Sequence, residues 1–181
     1  QRFKMKRSFS RLLLLPPAFV LAACGAAATL SPEGETPRLS DRLSEAVWYA
    51  ERGDHPGLAS AADGILLEDS SFHGGSIAVL PPGDDSTYVN GAFTINVPDR
   101  DDVKLSAKVG LPSGATGTVL FSAFVQDGAD FPKLAEVAAS ADGQLDEFSV
   151  DLSQFRGRGV LLILAVSSPD QSPLTTSAFW V

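Results

Sequence analysis

The sequence predicts an all-β sandwich of about eight or nine short strands, placed behind a secretory leader and a flexible tether. Three observations predict it. Beyond residue 60 apolar side chains recur at every second position. Clusters of Gly, Pro, Asp and Ser interrupt these runs about every eight to twelve residues. The first 37 residues follow a different rule, with basic, apolar and then small residues in succession.

In that first segment Arg2, Lys4, Lys6, Arg7 and Arg11 precede the apolar run Leu12 to Ala23, and no acid appears before Glu33. A basic region, a short apolar region and a small-residue cleavage site are the order of a secretory signal. The run is shorter than the about 20 residues a spanning helix requires, and Pro16-Pro17 interrupt it. Met5 is the expected start. "LAAC" then sets Leu21, Ala22 and Ala23 before Cys24, the one cysteine of the chain. This tetrad resembles the lipobox of bacterial lipoproteins. The resemblance implies cleavage before Cys24, a diacylglyceryl thioether on it and usually an acylated new amino end, which together suffice for stable anchoring. The expected location is the cell membrane or the outer membrane, with the domain outside the cytoplasm. Gly25, where an aspartate would resemble an inner-membrane retention signal, leans to the outer membrane. Residues 24–37, "CGAAATLSPEGETP", read as a tether, and 38–181 as a single domain of ordinary size.

The formal charge of −8 becomes −13 once the leader's five positives are discounted. With no basic patch, nucleic acid is not an expected partner. With Cys24 acylated no disulfide is available, so packing must hold the domain.

Taken in order, "LSDRLSEAVWYAERGD" predicts a turn or short helix at 40–45 feeding a strand at 46–51, with Ser40 as a candidate cap. "GILLEDS" and "SIAVLPP" predict strands near 64–70 and 76–80. "VNGAFTINV" sets Val89, Gly91, Phe93, Ile95 and Val97 on one face and Asn90, Thr94 and Asn96 on the other. "VKLSAKV" alternates Val103, Leu105, Ala107 and Val109 with Lys104, Ser106 and Lys108. In "TVLFSAFV" Val119, Phe121, Ala123 and Val125 form one face, with Leu120 and Phe124 behind, so part of the second face is expected under a loop. "LAEVAAS", after Pro132, reads as a strand rather than a helix turn. "DEFSVDL" aligns Phe148, Val150 and Leu152. "GVLLILAV" is apolar on both faces, as a central strand is, and "SAFWV" reads as a last strand with Trp180 in the core.

Parts of this pattern resemble the galactose-binding-like jelly roll, in the form of the carbohydrate-binding module found beside glycosidase catalytic modules. The matching residues are Val109-Gly110, Gly114-Ala115, Val119 to Val125, the run Val150, Asp151, Leu152, Ser153, Phe155, Gly157, Leu162, Leu164 and Val166, and the closing Ala178, Phe179, Trp180 and Val181. The resemblance spans about residues 44 to 181. It implies a jelly-roll topology and glycan as the ligand class; no cofactor is expected, with a structural calcium ion, which such domains often carry, as the alternative. Asp99, Asp101 and Asp102 crowd one turn and Asp127 and Asp130 another, without the twelve-residue loop of a calcium hand.

Catalysis is not expected. His55 and His73 are the only histidines. Asp69, Ser71 and His73 could be written as a triad, but three neighbours on one short loop rarely reach its geometry. The carboxylates read as solvated turn charge, with no pair singled out for glycoside hydrolysis. Sugar binding instead asks for an aromatic face beside amide and carboxylate groups. Tyr88 with Asn90 is the best such cluster, against the ordinary alternative of a half-buried tyrosine at a strand start; Trp48 and Tyr49 come next. The functional expectation is a non-catalytic, lipid-anchored envelope lipoprotein that binds glycan, or alternatively an accessory subunit that binds an envelope protein. A small hydrolase ranks third.

Overall fold

The alternation of these runs has a simple outcome: each strand turns one row of apolar side chains toward a shared interior. The computed structural model describes residues 38–51, 57–83 and 85–181; the leader, Cys24 and the tether (1–37), His55 and Asp84 lie outside the described residues. A 3-10 helix, Leu39–Glu45, leads into strand β1 (Val47–Ala50). There follow β2 (Ala59–Ala62), β3 (Ile65–Leu66), β4 (Phe72–His73), β5 (Ser76–Val79), β6 (Tyr88–Asn96), β7 (Lys104–Gly110), β8 (Thr118–Gln126), β9 (Lys133–Ser140), β10 (Asp146–Asp151), β11 (Gly159–Ser167) and β12 (Ala178–Trp180), with a 3-10 turn at Ser153–Phe155.

These strands form two antiparallel five-stranded sheets and a small hairpin. The first sheet runs β1-β6-β11-β8-β9, the second β10-β7-β12-β5-β2, and β3 pairs with β4. The expected all-β jelly-roll sandwich is the observed architecture. "GVLLILAV" lies at the centre of the first sheet, between β6 and β8, which is why neither of its faces is polar. "LAEVAAS" is strand, paired along β8. Residues 64–70 depart from expectation. Only Ile65 and Leu66 are strand; the chain then turns and returns as β4. The number of strands among the described residues exceeds eight or nine because β2 and the β3–β4 pieces are too short for period two to register.

The core lies between the sheets. Phe93, Phe121, Leu162, Leu164 and Val166 from the first meet Ile77, Val79, Val109, Phe148 and Trp180 from the second. Each such side chain taken from water contributes about 1.5–3 kcal/mol. Trp180 stands edge-on between Phe121 and Phe148, at ring-centroid distances of 5.0 and 4.8 Å. A second, smaller cluster sits outside the second sheet. There Ala62, Ala78 and Phe179 turn away from the main core and are covered by Leu67 of the β3–β4 segment. Glu68 braces this roof: its carboxylate accepts from Leu111 N (2.8 Å) and from Asp142 N (3.1 Å). Arg42 fastens the first 3-10 helix to β6 by donating to the Thr94 carbonyl (3.0 Å).

Candidate ligand-binding face

The outer face of the first sheet collects the polar and aromatic side chains that the core excludes. On β6, Val89, Gly91, Phe93 and Ile95 point inward, so Tyr88, Asn90, Ala92, Thr94 and Asn96 point out. Register then assembles a row across all five strands: Tyr49 lies opposite Asn90, Asn90 opposite Ala165, Ala165 opposite Ser122, and Ser122 opposite Glu136. Asn90, Ala165 and Ser122 are only 6%, 6% and 3% exposed although they face outward. Larger half-buried neighbours, Tyr49, Tyr88, Leu120, Phe124 and Leu161, stand around them. The result is a trough with a small polar floor.

Two aromatic groups flank that floor. On one side Tyr49 hydrogen-bonds the Asn90 side chain, and burial, then Tyr88, push its hydroxyl above the ordinary tyrosine pKa despite that bond. Burial, then the Glu51 carboxylate, likewise raise Tyr88. Both tyrosines therefore stay neutral donors at any physiological pH. On the other side Phe124 stacks on Phe131, with centroids 5.2 Å apart and planes 8° from parallel, and Lys133 Nζ stands 6.0 Å from the Phe124 ring. A register shift in the β8–β9 pairing between Ala123 and Phe124 sets Phe124 opposite Lys133. A tight turn, closed by Asp127 N donating to Asp130 O (3.1 Å) and Asp130 N to Asp127 O (3.2 Å), brings Phe131 back over it. Glu136 accepts from Lys133 Nζ (2.6 Å) and Ser122 Oγ (3.0 Å). The Lys133 bond is the main reason its carboxyl is held below the usual range, against burial. The trough thus offers flat apolar rings, an amide, a hydroxyl and a carboxylate, the groups that a sugar's faces and hydroxyls need.

Of the four residues singled out from sequence, Tyr49, Tyr88 and Asn90 come together here. Trp48 does not. Its indole turns inward against Phe93, at 6.0 Å and 86°, over the bare backbone of Gly91, and its Nε1 is buried without a partner. Adjacent residues on a strand must face opposite ways, so Trp48 and Tyr49 could never share a face. Ser122, Phe124, Phe131 and Glu136 escaped the sequence reading. Ser122 and Glu136 were detectable as polar breaks in apolar strands; Phe131, in a turn, gave no periodic signal.

The other candidates lie elsewhere. Asp69 Oδ2 and His73 Nε2 are 2.9 Å apart in the β3–β4 hairpin, and Ser71 meets the same carboxylate through its backbone N–H. Burial would raise the Asp69 carboxyl, but the bonds from His73 and Ser71 and the nearby charges leave it lowered. Among the described residues no group of three or more acids, histidines or cysteines converges as a cation site would. Instead Asp99 and Asp101 face Arg156, Asp102 faces Arg100, and Asp127 faces Arg158. A hollow of about 330 Å³ opens at one end of the sandwich, lined by Thr116, Thr118, Ser168, Asp170, Ser172 and Thr176 among others. Its one carboxylate, Asp170, is already taken by the hydroxyls of Ser168 and Ser172, both at 2.6 Å.

No family model matches the chain, and no curated protein matches it. Solved structures do. A carbohydrate-binding module, TmCBM61, solved in complex with beta-1,4-galactotriose, superposes with a TM-score of 0.51 at 9% identity, covering 76% of this chain and 84% of that one. A mutant of a family 29 carbohydrate-binding module matches at a TM-score of 0.35 and 13% identity, over 75% of this chain and 86% of that one. Another family 29 mutant, complexed with cellulohexaose, gives 0.35 and 13% over 75% and 87%. At 9% identity the first likeness is one of fold: the chain shares the β-sandwich of a carbohydrate-binding module.

Proposed function

We propose that this protein is a non-catalytic glycan-binding domain held at the cell envelope by lipid on Cys24, with the outer face of the first sheet as its ligand face. The observation that carries the reading is the row Tyr49, Asn90, Ser122 and Glu136, flanked by Tyr88 on one side and the Phe124–Phe131 stack on the other. Buried polar groups at the foot of aromatic walls suit a β-linked polysaccharide, whose pyranose rings present apolar faces and equatorial hydroxyls by turns. The sandwich shared with a galactotriose-binding module supports the same class.

Titration calorimetry against β-1,4-galactan and cellulose oligosaccharides and against envelope polysaccharide tests it. Tyr88→Ala and Asn90→Ala should each weaken binding about tenfold, the worth of one stacking or hydrogen-bonding contact. Silence toward all of these glycans at millimolar concentration would overturn the reading in favour of the accessory-subunit alternative, which crosslinking in intact cells then examines. Intact-mass measurement of the native protein tests the lipid on Cys24 separately.

A further inference from the structure

We propose that the β3–β4 hairpin is the membrane-facing surface of the domain, with Phe72 and Leu66 seated in the bilayer interface. The proposal rests on the lipid attachment at Cys24 and goes beyond it by fixing which side of the sandwich the bilayer meets. Phe72 is 74% exposed, and its cross-strand partner Leu66 is 41% exposed. Isolated exposed apolar side chains are ordinary. A phenylalanine this bare, directly paired with an exposed leucine on a braced hairpin, is less so. The hairpin is held against the second sheet by Leu67 in the small outer core and by Glu68, so its outward pair is presented rigidly.

The tether enters at the same place. Arg38, the first described residue, lays its guanidinium over Gly75, three residues after Phe72; a Cβ on Gly75 would fall 2.5 Å from Arg38 Nη1. The 14 residues from Cys24 to residue 37, whose composition reads as a tether, would span about 20 Å root-mean-square on that reading. A domain of this size measures about 36 Å across, from a radius of gyration of about 14 Å. The lipid therefore holds the side bearing Arg38 and the hairpin near the surface far more often than the opposite side. The domain is acidic, so contact is apolar and needs no anionic lipid. The geometry also separates the two surfaces. The hairpin covers the second sheet, whereas Tyr49, Tyr88 and Asn90 lie on the outside of the first. A domain resting on its hairpin turns its ligand face away from the bilayer.

Tryptophan quenching by brominated lipid tests this on the full lipidated chain in phosphatidylcholine vesicles. Phe72→Trp is compared with Thr94→Trp, an exposed position on the first sheet's outer face, with the emission of the parent's Trp48 and Trp180 subtracted. Quenching at 72 should exceed that at 94 by about threefold or more. Equal quenching, reversed quenching, or none at either position overturns the proposal. So does a dimer in sedimentation that Phe72→Ser returns to monomer, since a second copy would then own the hairpin. The mass of the same sample reports the lipid. If Cys24 is bare, the full chain is coupled through that thiol to a maleimide-bearing phosphatidylcholine analogue and measured identically, which separates failure of the anchor from failure of the hairpin.

Discussion

Gly91 has no space for a methyl group. A Cβ there would lie 2.5 Å from the Trp48 ring, so Gly91→Ala must displace the indole from Phe93. The expected cost is about 1–3 kcal/mol, the range for overpacking, read as a lower urea midpoint at unchanged slope. Asp170 makes a different prediction. Its bonds from Ser168 and Ser172 lower its pKa from 3.8 to about 2. The folded state thus favours the charged carboxylate; the stabilisation is complete above pH 3.8 and is lost as pH falls toward 2. Asp170→Asn should flatten the melting temperature against pH within that window and leave its shape near neutrality unchanged. Individual site residues were legible in proportion to their place in a strand. Tyr88 and Asn90 belong to a run whose alternation assigns each a face. Trp48 and Tyr49 sit in "AVWYA", where the pairing of Trp48 with Gly91 decides which ring turns inward, and pairing is not written in four residues.

The longer strands were readable, β9 among them despite its alanines; the shortest were not. β6, β7, β8 and β10 were anticipated to within a residue or two because Val, Ile, Leu and Phe recur at alternate positions, and β11 because its unbroken apolar run marks a central strand. β2 reads "ASAA", which has no contrast of size or polarity, and it exists because β5 supplies a partner. β3 and β4 are two residues each, held by Leu67 in the outer core and by Glu68 rather than by propensity. Removing that brace should loosen the roof as a unit. Glu68→Ala leaves the Leu111 and Asp142 N–H groups without their acceptor, at about 1–3 kcal/mol for buried members, and amide exchange at those two positions should accelerate more than at β8 or β11. At the opposite extreme lies the centre of the second sheet. Trp180→Ala empties the space between Phe121 and Phe148 and should cost about 3–5 kcal/mol, measured by urea unfolding.

As a whole the molecule is two unequal surfaces around one core. One sheet is bare on its outer side and carries the aromatic and amide row; the other is roofed by a hairpin whose own outer side is greasy. The all-β class and the order of the larger strands could be read from period two. The trough could not, because it depends on five strands lining up Tyr49, Asn90, Ala165, Ser122 and Glu136 from positions up to 116 residues apart. One further consequence comes from β12. Residues 178–180 occupy the middle of the second sheet, bonded to β5 on one flank and β7 on the other, and seat the tryptophan around which both layers close. A chain cut after Ser177 should stay unfolded, with flat circular dichroism melting and rapid proteolysis, although every other strand is present. On the proposed export route this places transit before folding. Residues 178–180 would on that proposal have to leave the translocation machinery before the sandwich can shut, so the polypeptide would cross in a loose, threadable form and become rigid only on the far side.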